Sequence, residues 1–193
     1  NKIKFKDLNQ NSIIGTSSFR REFQLKNKRS DLNYKLIRGN VDTRINKIDK
    51  NLYDAIILSC AGINSLNLNK HISEIFSIDE IIPSAGQGVI ALQCKSDDQS
   101  IKNILKKIND EKTYINAQAE RNVLKVLEGD CETAVGAVSV ISEENITLEA
   151  ELFSLDGKER FHCKSSKDIK HAAELGIEIG ENLKKQSNGS YKK

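Results

Sequence analysis

Two stretches in the first quarter of the chain share one order of features: a short apolar run, a glycine, a helix-capping side chain and then arginines. The first stretch, residues 12–25, reads as a strand, a tight turn and a helix with a hydroxyl side chain at its N-cap. The second has a strand at 34–37 and a helix at 43–49, which Asp42 would cap. Strands that lead through tight turns into helices predict an α/β domain built on a parallel sheet.

The arginines of these two turns predict a binding site for anions. A parallel sheet would place both turns along its carboxyl edge, beside helix N-termini that carry a partial positive charge. Arginine is suited to bidentate contacts with carboxylate or phosphate groups. Unrelated surface arginines are the alternative, but the repetition favours an anion site. The residues concerned are Arg20, Arg21, Arg38 and Arg44.

Residues 53–108 continue the α/β pattern. The continuous apolar run at 53–62 is typical of a buried strand in a parallel sheet. The segment 83–88 is rich in turn-forming residues. A hinge or a close approach to a ligand would explain its glycines, but a plain loop is the more frequent explanation. Further elements are predicted as a helix at 69–76, a strand at 89–94 and a helix from about 99 to 108, capped by Ser96 or Asp97.

The second half of the chain predicts an α+β domain with a three-stranded antiparallel sheet, beginning near residues 109–113. Asp156-Gly157 is a strong hairpin signal. The polar tail from Gln186 is expected to be disordered. The predicted elements are a helix at 113–127, strands at 135–141, 146–155 and 158–164, and a helix at 169–185.

Composition excludes several classes of function. The net charge is only +3, with basic and acidic residues interspersed, which argues against a strong nucleic-acid interface. No apolar run approaches the roughly 18–20 residues that span a bilayer. The histidines and cysteines have no zinc-ligand spacing, so no metal site is expected. The four cysteines show no Cys-x-x-Cys spacing, and a reducing compartment is the natural interpretation. They are Cys60, Cys94, Cys131 and Cys163.

Cys131 lies on a loop, residues 127–136, between a predicted helix and a predicted strand. A thiol at such a junction can reach a neighbouring domain. Its neighbours Asp130 and Glu132 do not favour the thiolate, so activation would have to come from elsewhere in space. From these residues alone, an inert thiol and a reactive one both stay open.

Six strings along the chain resemble the porphobilinogen deaminase family, whose members are also called hydroxymethylbilane synthases. Each string is weak alone, but six in this order and spacing are highly specific. The resemblance covers residues 12 to 185. The strings are residues 15–21, 38–44, 53–58, 83–88, 119–121 and 127–131.

The resemblance implies a transferase of tetrapyrrole (heme, porphyrin) biosynthesis that joins four porphobilinogen units into hydroxymethylbilane. The family works on a dipyrromethane cofactor, which a cysteine thioether holds covalently. Cys131 matches that cysteine, and a loop thiol can capture the electrophilic azafulvene formed when porphobilinogen loses ammonia. The implied fold is a periplasmic-binding-protein-like α/β domain with a parallel or mixed sheet, followed by a small α+β domain.

The resemblance also assigns cofactor-binding residues. The family's arginines bind the acetate and propionate groups of the pyrroles, and each added pyrrole brings two carboxylates. Besides Cys131, the matching positions are Thr16, Ser17, Ser18, Arg20, Arg21, Arg38, Gly39, Asn40, Arg44 and Gln87.

The resemblance divides the chain into three parts. Residues 12–88 match the second, carboxylate-binding domain, and residues 89–110 match a strand and helix that return to the first domain. Residues 111–187 match the C-terminal domain. The family's first domain carries the catalytic aspartate, and no segment before residue 12 matches it. We therefore expect that segment as a separate polypeptide, a cleaved piece or a further part of the enzyme, which would be monomeric when complete.

Several residues depart from the family pattern. Asp130 replaces a common glycine, Ala134 replaces a proline, and Asn64-Ser65 stands where a basic residue is common. One carboxylate contact could thereby be lost.

A non-catalytic carboxylate-binding module is the alternative function. The expected location is the cytoplasm, with a plastid or other reducing organelle as the alternative.

Overall fold

The structure, a computed structural model, describes residues 2–130 and 132–192. None of the helices in these residues has the length and apolarity needed to cross a bilayer. In chain order the elements are β1 (Ile13–Thr16), α1 (Phe19–Lys28), β2 (Asn33–Leu36), α2 (Val41–Asp49), β3 (Ala55–Ile56), α3 (Cys60–Ser65), α4 (Gln99–Lys106), α5 (Glu111–Leu127), β4 (Val135–Ser142), β5 (Asn145–Phe153), β6 (Arg160–Asp168) and α6 (Ala172–Ser187).

The first sheet is parallel, with the strand order β2-β1-β3. Strand β1 lies in the centre, where it pairs Ile14 with Tyr34 of β2 and with Ala55 of β3. Ser18 caps α1, and its hydroxyl accepts a hydrogen bond from the backbone N–H of Arg21. The predicted parallel α/β arrangement is confirmed, together with a hydroxyl side chain at the N-cap of its first helix.

Two predicted helix caps are wrong. Asn40, not Asp42, caps α2, because its Oδ1 accepts a hydrogen bond from Thr43 N–H at 2.9 Å. Asp42 lies inside the first turn, where a carboxylate still faces the positive end of the helix dipole. At α4 the cap is Asp98 rather than Ser96 or Asp97. A one-residue shift of this kind depends on backbone angles that the sequence pattern does not specify.

The predicted elements between residues 53 and 94 are shorter or absent. The strand of residues 53–62 is reduced to Ala55–Ile56, which is half-buried, and Cys60 begins α3. The helix of 69–76 is reduced to one 3₁₀ turn at Asn69–His71. The run 89–94 forms no strand with the described residues, and Ile90 is 88% exposed. An apolar run forms a strand only where a neighbouring strand completes its hydrogen bonds.

The second sheet is an antiparallel meander of β4, β5 and β6, as predicted. Helices α5 and α6 cover one of its faces and enclose the main apolar core. The central strand β5 contributes Leu148, Ala150 and Leu152 to this core, and α6 contributes Leu175 and Ile179. This domain therefore has a compact interior of its own.

Close packing joins α6 to α5, and it extends into the tail. A side chain at Gly176 would place its Cβ 2.1 Å from the carbonyl oxygen of Ala119. Beyond α6, the buried Tyr191 donates a hydrogen bond from its hydroxyl to the carbonyl of Leu127 at 3.1 Å. The prediction that the chain is disordered from Gln186 is therefore wrong, because an aromatic side chain anchors the tail.

We predict that Gly176→Ala destabilises the protein by about 1–3 kcal/mol, because the added methyl group forces the two helices apart. The free energy of unfolding from urea titration measures this loss. Gly129→Ala is the matched control, since its Cβ would meet its nearest atom at an ordinary 3.5 Å. Equal stability of the two variants would contradict the close helix contact.

Candidate functional site

The turn between β1 and α1 is held by its own hydroxyl groups. Thr16 is buried, and its Oγ1 accepts a hydrogen bond from Ser18 N–H at 3.2 Å. Ser18 in turn caps α1 through Arg21 N–H. Ser17 is exposed. Two of the three predicted hydroxyl donors thus shape the turn, and Ser17 is left facing solvent.

Arg20 is a buried cation at the start of α1, with only 7% of its surface exposed. Its Nη1 donates to the carbonyl of Ile82 at 2.7 Å, and its Nη2 donates to Gln87 Oε1 at 3.1 Å. Burial, followed by the charge of Arg21, lowers the pKa of Arg20 to about 10, and the negative charge of Glu151 opposes that change. Two predicted site residues, Arg20 and Gln87, are therefore in direct contact.

The backbone of Ile82 is bound on both sides by α1. Gln24 accepts a hydrogen bond from Ile82 N–H at 2.7 Å and donates one to its carbonyl at 2.9 Å, where Arg20 also binds. We call this set of contacts the Ile82 joint. Its other side is β4: a Cβ at Gly136 would lie 2.9 Å from Ile82 O, and Ala137 N–H donates to the carbonyl of residue 83 at 2.9 Å.

Arg21 lines a cavity of about 550 Å³, a volume in the range of small-molecule sites. Arg20 and Gln87 line the same cavity, and so do Lys70 and His71. Arg21 Nη1 donates a long hydrogen bond of 3.4 Å to the carbonyl of residue 57. Burial, and then the charge of nearby Arg44, lowers the pKa of Arg21. The cationic side chains of the lining are Lys2, Arg20, Arg21 and Lys70, and its carboxylates are Asp49, Asp54 and Glu74. Glu74 and Asp54 accept hydrogen bonds from the backbone N–H groups of Phe5 and Ile13.

The second predicted turn, residues 38–44, lies next to this cavity, but Arg38, Gly39, Asn40 and Arg44 do not line it. Arg44 Nε donates to the carbonyl of Gly39 at 2.7 Å, and Asn40 serves as the helix cap. Arg38 is exposed, and its carbonyl accepts a hydrogen bond from Lys47 Nζ at 2.9 Å. Of these residues, Arg44 is the one that acts on the first turn, because its positive charge lowers the pKa of Arg21.

Cys131 lies outside the described residues, but the loop on either side of it is described. Asp130 Oδ1 accepts hydrogen bonds from Glu132 N–H at 2.8 Å, and from Thr133 N–H and Oγ1 at 3.0 and 3.1 Å. These contacts, the Glu132 amide first, lower the pKa of Asp130. Where the family commonly has glycine, this chain thus has a carboxylate that organises the loop.

Glu120 is a structural residue that the sequence did not reveal. It is only 8% exposed. Its Oε2 accepts a hydrogen bond from Gly86 N–H at 2.7 Å, and its Oε1 accepts from Ser139 N–H at 2.8 Å. It therefore ties the segment that follows the Ile82 joint to α5, the helix that leads into the Cys131 loop.

Among the described residues, no group of three or more histidine, cysteine or acidic side chains is arranged to hold a metal ion.

Comparison with known proteins places these features in one family. The family model for the porphobilinogen deaminase dipyromethane cofactor binding domain matches residues 1–103. The chain belongs to the porphobilinogen deaminase family. The model for the C-terminal domain of porphobilinogen deaminase matches residues 114–185. The predicted site residues from Thr16 to Gln87 fall within the first match, and Cys131 falls within the second.

Individual porphobilinogen deaminases are similar along nearly the whole chain. That of Desulforamulus reducens is 38% identical over 180 residues, which are 93% of this chain and 58% of the relative. That of Caldicellulosiruptor saccharolyticus is 42% identical over 166 residues, 86% of this chain and 57% of the relative. That of Prochlorococcus marinus strain AS9601 is 39% identical over 183 residues, which are 95% of this chain and 58% of the relative. The chain thus spans about three fifths of the length of these curated relatives.

We predict that Gln24→Leu destabilises the chain by about 1–3 kcal/mol, because leucine leaves both polar groups of Ile82 without their Gln24 partner in a buried place. Chemical denaturation measures the change. Asn27→Leu, on the exposed side of the same helix, is the control and is expected to stay within about 0.5 kcal/mol of wild type. A Gln24→Leu variant as stable as this control would show that the Ile82 joint is not formed.

Proposed function

We propose that this chain acts in tetrapyrrole biosynthesis, as part of a hydroxymethylbilane synthase that assembles porphobilinogen units on a dipyrromethane attached to Cys131. The contact of Arg20 with Gln87 beside Arg21, at the wall of one cationic cavity, is the observation that carries the proposal. The two family matches support it, because one covers the arginines and the other covers the cysteine.

The charges of the cavity fit the proposed cofactor. A dipyrromethane made from porphobilinogen carries a pair of carboxylates on each ring, so its binding requires several cations in one place. Arg21 and Lys70 line the cavity, and within the described residues the Arg21 guanidinium donates a single hydrogen bond, of 3.4 Å. Its guanidinium can therefore bind a carboxylate without breaking a strong contact. The cofactor, when bound, supplies the primer to which pyrrole units are added.

The chain's own residues perform the binding and orientation. Arg20 is committed to Ile82 and Gln87 and fixes the position of the cavity wall. Arg21, with Arg44 beside it, provides the positive charge for acetate and propionate groups. Ser17, exposed at the turn, offers a hydroxyl donor, while Arg38, Gly39 and Asn40 form the second turn next to the cavity.

We further propose a periplasmic-binding-protein-like architecture and the division into residues 12–88, 89–110 and 111–187. The catalytic aspartate would come from the remaining length of the enzyme, in the same chain or in a separate one. The reaction would take place in the cytoplasm. A non-catalytic carboxylate-binding module is not favoured, because such a module has no need of the C-terminal domain, which also matches the family.

The attachment site is tested by the intact mass of the enzyme purified from cells that make porphobilinogen. We expect a mass increment of two pyrrole units, together with a colour reaction with a pyrrole reagent. Cys131→Ser is expected to lose both. Cys163→Ser, which changes a half-buried thiol of β6, is the matched control and is expected to keep them. Active enzyme with the bare chain mass would refute the proposal.

The arginines are tested by single substitutions assayed in the complete enzyme. We predict that Arg21→Gln and Arg44→Gln each reduce kcat/KM for porphobilinogen roughly 10- to 100-fold, the value of one charged hydrogen-bonded contact. Arg121→Gln, on the exposed surface of α5, is the control and is expected to leave turnover unchanged. Normal turnover in both cavity variants, with thermal melting unchanged, would contradict the assignment of carboxylate binding to these arginines.

A further inference from the structure

The last turn of α5 leads directly into the Cys131 loop, and its carbonyl groups need partners from outside the helix. The final four carbonyls of an α-helix have no partner within it. The first two of them, at residues 124 and 125, accept hydrogen bonds from backbone N–H groups that directly follow the helix. The other two, at Val126 and Leu127, are bound by side chains from the C-terminal part of the chain.

These side chains come from α6 and from the tail beyond it. Tyr191 of the tail is 3% exposed, and its hydroxyl donates a hydrogen bond to the carbonyl of Leu127 at 3.1 Å. Lys184 of α6 donates from its Nζ to the carbonyl of Val126 at 3.3 Å. The buried tyrosine is the stronger of the two contacts, because a hydrogen bond shielded from water is costly to lose.

Glu128 is the residue at which the chain leaves the helix, and the tail binds it as well. Its φ of 51° lies in the left-handed region, which residues other than glycine seldom adopt. Its carboxylate forms a salt bridge with Lys192 of the tail, and this contact lowers the pKa of Glu128. The tail therefore holds an unfavourable backbone conformation in place shortly before Cys131.

The tail is itself fixed to the core of the C-terminal domain. The carbonyl of Ser190 accepts a hydrogen bond from Leu155 N–H, just beyond β5, at 2.9 Å. The ring of Tyr191 belongs to the apolar core between the sheet and its two helices. A Cβ at Gly180 of α6 would lie 2.7 Å from Val126 Cβ, so α6 and the last turn of α5 are already in close contact.

We infer that Tyr191 and Lys192 are positioning residues: from the tail, they fix the end of α5 and thereby the loop that presents Cys131. The family match to the C-terminal domain ends at residue 185, before the tail. The inference rests on the proposed function for its consequence, because the position of the loop bears on turnover only if Cys131 holds the dipyrromethane.

Tyr191→Phe tests the inference, because phenylalanine keeps the ring in the core and removes only the hydroxyl. Ile146→Val is the matched control, and it is expected to cost a comparable amount of stability by trimming a fully buried side chain. Ile146 lies at the opposite end of β5 from Leu152, which pairs with Val135 at the start of β4. The control therefore weakens the same core at a distance from the Cys131 loop.

Amide hydrogen exchange, measured by NMR of the full chain, reports on the end of α5. We expect the amides of Glu128 and Gly129 in Tyr191→Phe to exchange about fivefold faster relative to Val123, which lies one turn earlier in the same helix. One net hydrogen bond changes a local opening equilibrium by about this factor. Ile146→Val is expected to keep the wild-type ratio. A ratio in Tyr191→Phe no higher than in Ile146→Val would overturn the inference.

Steady-state kinetics of the complete enzyme separate positioning from stability. A loop held less precisely presents the growing chain less well, so we expect kcat for porphobilinogen to fall about fivefold in Tyr191→Phe. KM is expected to stay within about twofold of wild type, since the arginines of the cavity are unchanged. A purely structural role predicts the same kcat in Tyr191→Phe and in Ile146→Val, and that result would overturn the inference.

Lys192→Met is the second variant, and it removes the salt bridge to Glu128 without a change in the core. We expect it to raise the same exchange ratio about twofold, the effect of a weak surface ion pair. If Tyr191→Phe fails to fold, this variant decides, and a wild-type ratio in Lys192→Met then overturns the inference.

The two readouts distinguish this inference from the proposed function. Hydrogen exchange requires no cofactor, whereas the mass increment on Cys131 does. A wild type with the expected exchange ratios that never acquires the increment would refute the proposed function. A wild type that acquires the increment, with equal turnover in Tyr191→Phe and Ile146→Val, would refute the positioning role alone.

Discussion

The structure depends on the hydrogen bonds that the backbone N–H and carbonyl of Ile82 make. Its N–H and carbonyl are buried in a segment that belongs to no strand or helix, so side chains have to supply the partners. Gln24 provides both a donor and an acceptor, and Arg20 provides a second donor. Because both side chains belong to α1, one turn of one helix fixes the crossing segment between the two domains. Gly136 completes the contact by letting β4 approach the same carbonyl.

The Ile82 joint links the two halves of the proposed site. On one side, Arg20 continues from Ile82 to Gln87 and the cationic cavity. On the other, the segment runs to Gly86, whose N–H is bound by Glu120 of α5. Helix α5 ends directly before the loop that Asp130 organises around Cys131. The arginines and the cysteine loop are therefore linked through Ile82, the backbone to Gly86, the Glu120–Gly86 hydrogen bond and helix α5.

Local features of the fold were predictable from the sequence, whereas the long-range contacts were not. The parallel sheet, the antiparallel meander and a hydroxyl cap on α1 follow from nearby residues, whose periodicity and turn chemistry are sufficient. Gln24 and Glu120 act on partners 58 and 34 residues away, and no local pattern marks a glutamine or a glutamate for such a role. The run at 89–94 has strand chemistry but forms no strand among the described residues, since a strand also needs a neighbour. Among the predicted site residues, the family resemblance assigns Arg20 and Gln87 to one site but does not predict their contact. It also does not predict the position of Arg38 outside the cavity lining.

Amide hydrogen exchange at Ile82 tests the Ile82 joint most directly. If Gln24 binds this N–H in a buried place, it exchanges only when the two domains separate or unfold. We predict protection of Ile82 comparable with that of Ala137, whose N–H donates to the carbonyl of Pro83 from β4. Exchange as fast as that of Ile90, which is 88% exposed, would contradict it, because the segment would then be an ordinary surface loop and the path from the arginines to the cysteine loop would be broken.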